Sequence, residues 1–219
     1  MQRKKIVIIG AGGLAREIEW LIRDINRTGD YYDFAGYVVS DMAQIGPNDS
    51  LDQLRGGYDW LISNARNIDA VTIGIGTPAS RLKVVDEVKQ ILPLAEWPIL
   101  MHPSAVFDTD TARIADGAQI CANVTGTVNL TLGSFTLCNL ECTLGHEVTI
   151  GTGCVINPGA NISGGVSIGD SVLVGTGAQV LQYIKVGART IIGSGAVVTK
   201  DVPNDVTVVG IPARAVTHA

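Results

Sequence analysis

The chain has 219 residues, 46% of them apolar, and a formal net charge of −5. That length is enough for one large or two modest domains with a sizeable core, and the acidic balance argues against a nucleic-acid partner. No apolar run reaches the roughly 18 residues of a bilayer span, and "IVIIGAGG" is too short and glycine-broken for a secretory signal, so a soluble cytoplasmic protein with no membrane partner is expected.

In chain order, "KKIVIIGAGG" (4–13) is a continuous apolar run ending in glycines, the pattern of a buried parallel strand. "LAREIEWLIRDINR" (14–27) places Leu14, Ile18, Leu21, Ile22 and Ile25 at helical spacing. "FAGYVV" (34–39) and "AVTIGIG" (70–76) read as further strands, and "PASRLKVVDEVKQI" (78–91) as a helix opened by proline. Strands alternating with helices imply a small parallel sheet, a Rossmann-like domain over residues 1–100. "EWPILMHPSA" (96–105) reads as the connection to a second domain, residues 101–219. Within the first domain, Gly10, Gly12 and Gly13 form a G-x-G-x-x-A turn between strand and helix, suited to a phosphate at the helix start. An acidic residue for a dinucleotide ribose is expected about 20 positions on. Asp41 lies some 30 residues from Gly10, which disfavours NAD.

From Ile114 the period changes. Steps of six pass through Ile120, Gly126, Leu132, Cys138, Leu144, Ile150, Ile156, Ile162, Ile168, Val174, Val180, Val186, Ile192 and Val198, and only Gly126 and Cys138 break the aliphatic rule. A second small or β-branched set falls four residues after each. This is a hexapeptide β-solenoid in which three short strands close a triangular coil of about 18 residues. Five coils stacked at the sheet spacing rise about 24 Å, with the aliphatic positions pointing inward. The four cysteines, Cys121, Cys138, Cys142 and Cys154, lack zinc-type spacing and read as buried thiols.

The solenoid grammar, the ending "IIGSGAVVTKDVPNDVTVVGIPARAV", the glycine-rich first domain, "HPSA" at 102–105 and the pair His146–Glu147 together resemble the bacterial sugar acyltransferases of the left-handed β-helix class. That group holds NDP-4-amino-sugar N-acetyltransferases and sialic acid O-acetyltransferase-like proteins. The resemblance implies left-handed coils, a homotrimer with sites between adjacent prisms, acetyl-CoA as co-substrate along the solenoid, and a nucleotide-sugar on the first domain. It marks His146 with Glu147 as the catalytic pair and Asn139 as a residue near the acceptor sugar. Gly10, Gly12, Gly13 and Asp41 are the expected nucleotide-sugar contacts. Relatives usually carry histidine where this chain has Leu14, and many carry paired aspartates where it has Ser40 and Asp41.

The repeat makes the site geometry definite. His146 follows Leu144 and Gly145, so it should project outward near a turn, with Glu147 to orient it. A neutral imidazole, reference pKa about 6.5, suits removal of a proton from an attacking amine or hydroxyl. Gly164, Gln182 and Lys200 should stack beneath it. Gly164 and Gly165 are expected to leave a bare strip for a pantetheine arm, with Gly175, Lys200 and Arg214 as further cofactor contacts. His102 reads as structural. A zinc site would need three histidines, and only His102, His146 and His218 exist, one of them in the solenoid, so no metal is expected. Transfer to an amino group leads, transfer to a sugar hydroxyl is the alternative, and a non-catalytic binding solenoid is a third reading.

Overall fold

The computed structural model describes residues 3–46, 49 and 52–216. The first domain runs β1 (Lys4–Ile9), α1 (Gly13–Asn26), β2 (Tyr32–Val38), β3 (Leu54–Gly56), α2 (Tyr58–Asn64), β4 (Ala70–Ile73) and α3 (Pro78–Ile91). All strand pairs are parallel, in the order β3-β2-β1-β4. Ile6 to Ile9 are fully buried because both faces of β1 are covered. The small parallel sheet read from the sequence is there. β3 and α2 are additions: three residues are too few to show alternation, and the seven of α2 bury only Leu61.

The second domain is a three-sided prism of two-residue strands. Its first face stacks Leu100–Met101, Gln119–Ile120, Leu137–Cys138, Val155–Ile156, Leu173–Val174, Ile191–Ile192 and Thr207–Val209. The second stacks Arg113–Ile114 through Lys185–Val186, and the third Val106–Phe107 through Val197–Val198. Between Arg113 and Val198 partners lie 18 residues apart, as in Thr143↔Asn161 and Ile150↔Ile168. The solenoid starts earlier than its six-residue rule: Leu100 already pairs with Gln119, at a spacing of 19, so part of the expected connection is coil. At the far end the spacing tightens to 16 (Ile191↔Thr207), and Arg214–Ala215 turns back antiparallel.

The inward positions form one continuous apolar column, each of Ile150, Ile156, Ile162 and Ile168 at 2% exposure or less. Burial of each such side chain contributes about 1.5–3 kcal/mol. Gly126 breaks the aliphatic rule for a steric reason: a Cβ there would lie 2.6 Å from both Leu130 and Phe107, whose side chains fill the gap. All four cysteines are free and buried.

The two domains are joined on the first face. Its outward residues Gln119, Leu137 and Val155 are buried at 0–1% exposure, while their equivalents on the second face, such as Thr131 and Thr149, are exposed. Helix α1 brings Ile18 and Leu21 onto this face. Arg81 of α3, fully buried, donates from Nε to the Phe135 carbonyl at 2.6 Å and from Nη1 to those of Ile73 (3.2 Å) and Ile75 (3.1 Å). Its Nη2 donates to Gln119 Oε1, and Gln119 Nε2 donates to Thr72 Oγ1 at 2.7 Å and to the Ile73 carbonyl at 2.9 Å. Phe135 is held by Trp97, edge-on at 5.3 Å, and lies 4.6 Å under Lys89 Nζ. Burial lowers the Arg81 guanidinium to about 10, and no carboxylate offsets it; neutral carbonyl and amide oxygens accept its hydrogens.

Replacing Arg81 with methionine keeps the bulk but strands those acceptors, so stability should fall by about 3–5 kcal/mol, read as a lower urea midpoint. Gln119→Leu added to that variant should cost less than it does alone. Burial pushes the thiols of Cys121, Cys142 and Cys154 up to about 12, and that of Cys138 well above its ordinary value. A thiol-specific disulfide reagent at pH 8 should therefore leave all four untouched in the folded protein and titrate four in urea.

Candidate active site

At the end of β1 the chain turns through Gly10 at φ +114°, where a Cβ would meet the Gly74 carbonyl oxygen at 2.9 Å. Gly12 is the N-cap of α1 with no side-chain cap, and Gly13 is the first helical residue. A helix start of this kind presents backbone donors to an anion. Ala15 closes the motif by packing on Gly74, where an added Cβ would come within 2.6 Å of it. Asp41, just past β2, accepts the Ala43 N–H at 2.9 Å. With Ser40 it lines an open groove of about 860 Å³ whose far wall is Lys83 and Glu87 of α3, and Ile75 carries the groove toward Gly10. Glu87 is held there by the Tyr58 hydroxyl at 2.9 Å.

The prism has three corners. His146 and Glu147 follow Thr143–Leu144 and occupy the corner between the third and second faces. Glu147 takes φ +64°, which swings its side chain back beside the imidazole: Nδ1 and Oε2 are 3.6 Å apart. Both side chains are open, at 45% and 60% exposure. The His146 carbonyl accepts the Gly165 N–H at 2.8 Å, so the main chain on both sides of the pair is fixed by neighbouring coils.

The imidazole lies directly on Gly164: a Cβ added there would be 2.3 Å from His146 Nε2. The bare strip expected at Gly164–Gly165 is therefore not bare. The missing Cβ atoms leave room for two rings, since Tyr183 lies on Gly165 with its Cδ1 2.3 Å from the would-be Cβ. The Gly165 N–H and the Gly164 carbonyl are also engaged, with His146 O and Tyr183 N. Tyr183 was not singled out from the sequence, although its place one coil below Gly165 follows from the 18-residue step.

Gln182 and Lys200 continue the column, since Gln179–Val180 pairs with Val197–Val198. Lys200 and Arg214 line the same groove of about 340 Å³ at the base of the prism. Asn139 is elsewhere. It follows Leu137–Cys138 on the first face, so it sits at the next corner, 7% exposed, with its Oδ1 accepting the Leu140 N–H at 2.8 Å. Gly175 stacks below Asn139 and not below His146; the next coil comes within 2.4 Å of where its Cβ would be, so it is a packing glycine. The Asn139 corner is the one that α1 approaches, where Glu17, Trp20, Cys121 and Leu140 meet. His102 is fixed between Asp24 (Nε2–Oδ2, 3.0 Å) and Ser104 (Nδ1–Oγ, 2.8 Å). His218 lies outside the described residues, among which no group of three His, Cys, Asp or Glu gathers to hold a metal. No described helix is long and apolar enough to cross a membrane.

A glycine-turn α/β domain docked on a hexapeptide prism is the architecture of an acyltransferase. The comparisons agree: residues 5–88 match the PglD N-terminal domain, and residues 165–200 match the bacterial transferase hexapeptide (six repeats). In fold and domain order the chain is similar to solved sugar acetyltransferases of the left-handed β-helix class. PerB from Caulobacter crescentus, solved with CoA and GDP-perosamine, is 27% identical over 97% of each chain, with a TM-score of 0.86. The acetyltransferase domain of PglB from Neisseria gonorrhoeae, solved with acetyl coenzyme A, is 26% identical (98% of this chain, 100% of that one, TM-score 0.84). WeeI from Acinetobacter baumannii is 28% identical (97% and 100%, TM-score 0.83). No curated protein sequence matches significantly.

Because Gly164 has room for no Cβ under His146, Gly164→Ala should displace the imidazole while leaving the coil folded. Acyl transfer should fall by about 10²-fold or more with an unchanged melting temperature, measured by steady-state kinetics beside thermal unfolding.

Proposed function

We propose that the protein transfers the acetyl group of acetyl-CoA to the amino group of a nucleotide-linked sugar, with His146 as general base. The amine nitrogen attacks the thioester carbonyl, the imidazole takes the proton the amine loses, and the CoA thiolate leaves and is protonated. Glu147 orients the imidazole and balances the charge it gains. The glycine turn at Gly10, Gly12 and Gly13 holds the sugar nucleotide's diphosphate, and the groove beside Asp41 takes its nucleoside. The pantetheine arm follows the column from His146 past Gln182, and the CoA phosphates meet Lys200 and Arg214 about 14 Å away, three coils on.

The observation that carries this reading is the placement of the pieces. The first domain packs on one face, yet His146 stands at the opposite corner, so one chain does not bring its own glycine turn to its own imidazole. A site with both requires a neighbouring copy to supply one of them, which fits a homotrimer of side-by-side prisms.

The test is thiol release from acetyl-CoA against a panel of UDP-, GDP- and dTDP-linked amino sugars. At least one should turn over, and His146→Ala should lower kcat by about 10²–10⁴-fold. Turnover of hydroxyl acceptors alone would replace N-transfer with O-transfer; no turnover of either kind would sink the reading.

A further inference from the structure

Non-glycine residues at positive φ are uncommon, and a bulky one there is an outlier that something must compensate. Among the described residues, only two aromatic side chains sit so, Phe135 at φ +60° and Tyr183 at φ +61°. They are built alike. Each occupies a prism corner, and each ring lies on a glycine one coil earlier: Phe135 on Gly117, 2.4 Å from a would-be Cβ, and Tyr183 on Gly165 at 2.3 Å.

Their surroundings differ. Phe135 is 5% exposed, clamped by Trp97 and Lys89, and its carbonyl receives Arg81, so its strain is offset by the domain junction. Tyr183 has no such cover. It is 66% exposed, with Leu181 beside it at 46%. Its ring leans up into the Gly164–Gly165 step that the His146 imidazole enters from above. Leu181 and Tyr183 are the chain neighbours of Gln182, which lies one coil below Gly164 in the histidine column.

We infer that Tyr183 is a positioning residue for the acyl donor: its ring is the wall against which the thioester end of the pantetheine arm rests beside His146. This rests on the proposed acetyl-CoA reaction. An aromatic face suits a thioether-like sulfur and methylene groups, and it needs no hydroxyl. The solenoid imposes a positive φ on every sixth residue from Gly117 to Gly195, so the turn belongs to the fold, while the choice of an aromatic ring over glycine at Tyr183 is assigned to the occupant of the step.

Glycine at this position relieves the backbone and removes the wall, which separates the two roles. Tyr183→Gly should keep or raise the melting temperature, raise KM for acetyl-CoA and Kd for CoA about tenfold, and leave the acceptor KM within about twofold. Tyr183→Phe should bind like the wild type. CoA affinity by calorimetry needs no acceptor, so it reads this role even before the sugar is identified. Unchanged CoA affinity in Tyr183→Gly, or a Phe variant as weak as the Gly one, overturns the inference. So does a lowered melting temperature or a smaller assembly by light scattering, since either would make the ring a structural or subunit contact. A wild type that binds no CoA removes the acetyl-CoA reading itself, and this role with it.

Discussion

The constraint on which the structure depends is that every coil must lie in register on the last. Adjacent strands can satisfy their main-chain groups only at the sheet spacing, so between Arg113 and Val198 each residue is committed to the residue 18 positions on. Inward positions must then be small or aliphatic in every coil, because they stack upon themselves. Corner residues inherit neighbours with equal strictness. His146 has Gly164 beneath it for the same reason that Leu144 has Ile162 beneath it. A solenoid thus places a functional side chain by the same rule that builds its core, with no separate loop to hold it.

Stacking alone does not say which face meets the first domain. That is decided by a buried polar junction. Arg81 and Gln119 share carbonyl and amide partners across the boundary, and each is 0% exposed. Such a network is costly unless satisfied, so it tolerates one docking geometry and penalises slippage. Covering the first face leaves the opposite corner open. The His146–Glu147 pair is exposed in a single chain as a direct consequence of where the domains lock.

Much of this was legible in the sequence. The six-residue step fixed the inward column, and the alternation of strands and helices gave the parallel sheet. The stacking of His146 over Gly164 was also readable, because it is arithmetic on the same step. What lay on the glycines was not: a missing Cβ reads as empty space, and here the space belongs to rings from the coils on either side. The docking face has a signal in the sequence, since outward Leu137, Val155 and Leu173 contrast with Thr131, Thr149 and Ser167 on the next face. Arg81 had none. One arginine among the charges of an amphipathic helix looks solvated, and only tertiary contacts reveal it as buried. Asn139 was matched to the sugar by resemblance, and its distance from His146 within one chain follows from the corner count, which a linear separation of seven residues conceals.

The two described histidines show how environment, not residue type, assigns the chemistry. His102 stands in a Ser–His–Asp line that by its atoms alone resembles a nucleophilic triad. Its contacts say otherwise. Nδ1 accepts the Ser104 N–H at 3.0 Å as well as facing its hydroxyl, and Ser104 Oγ accepts the Asn123 N–H at 3.0 Å. The cavity beside it holds about 10 Å³, room for one water at most and none for an acyl group. Asp24 is further committed to Arg27 at 2.6 Å. Every atom that a nucleophile or base would use there is already spent on tying α1 to the first coil. His146 spends far less: one nitrogen faces Glu147 at 3.6 Å and the other is aimed over a glycine step beside an exposed aromatic ring. A proton acceptor must have a nitrogen to give and a space in which a substrate can reach it, and of the two described histidines only His146 has both.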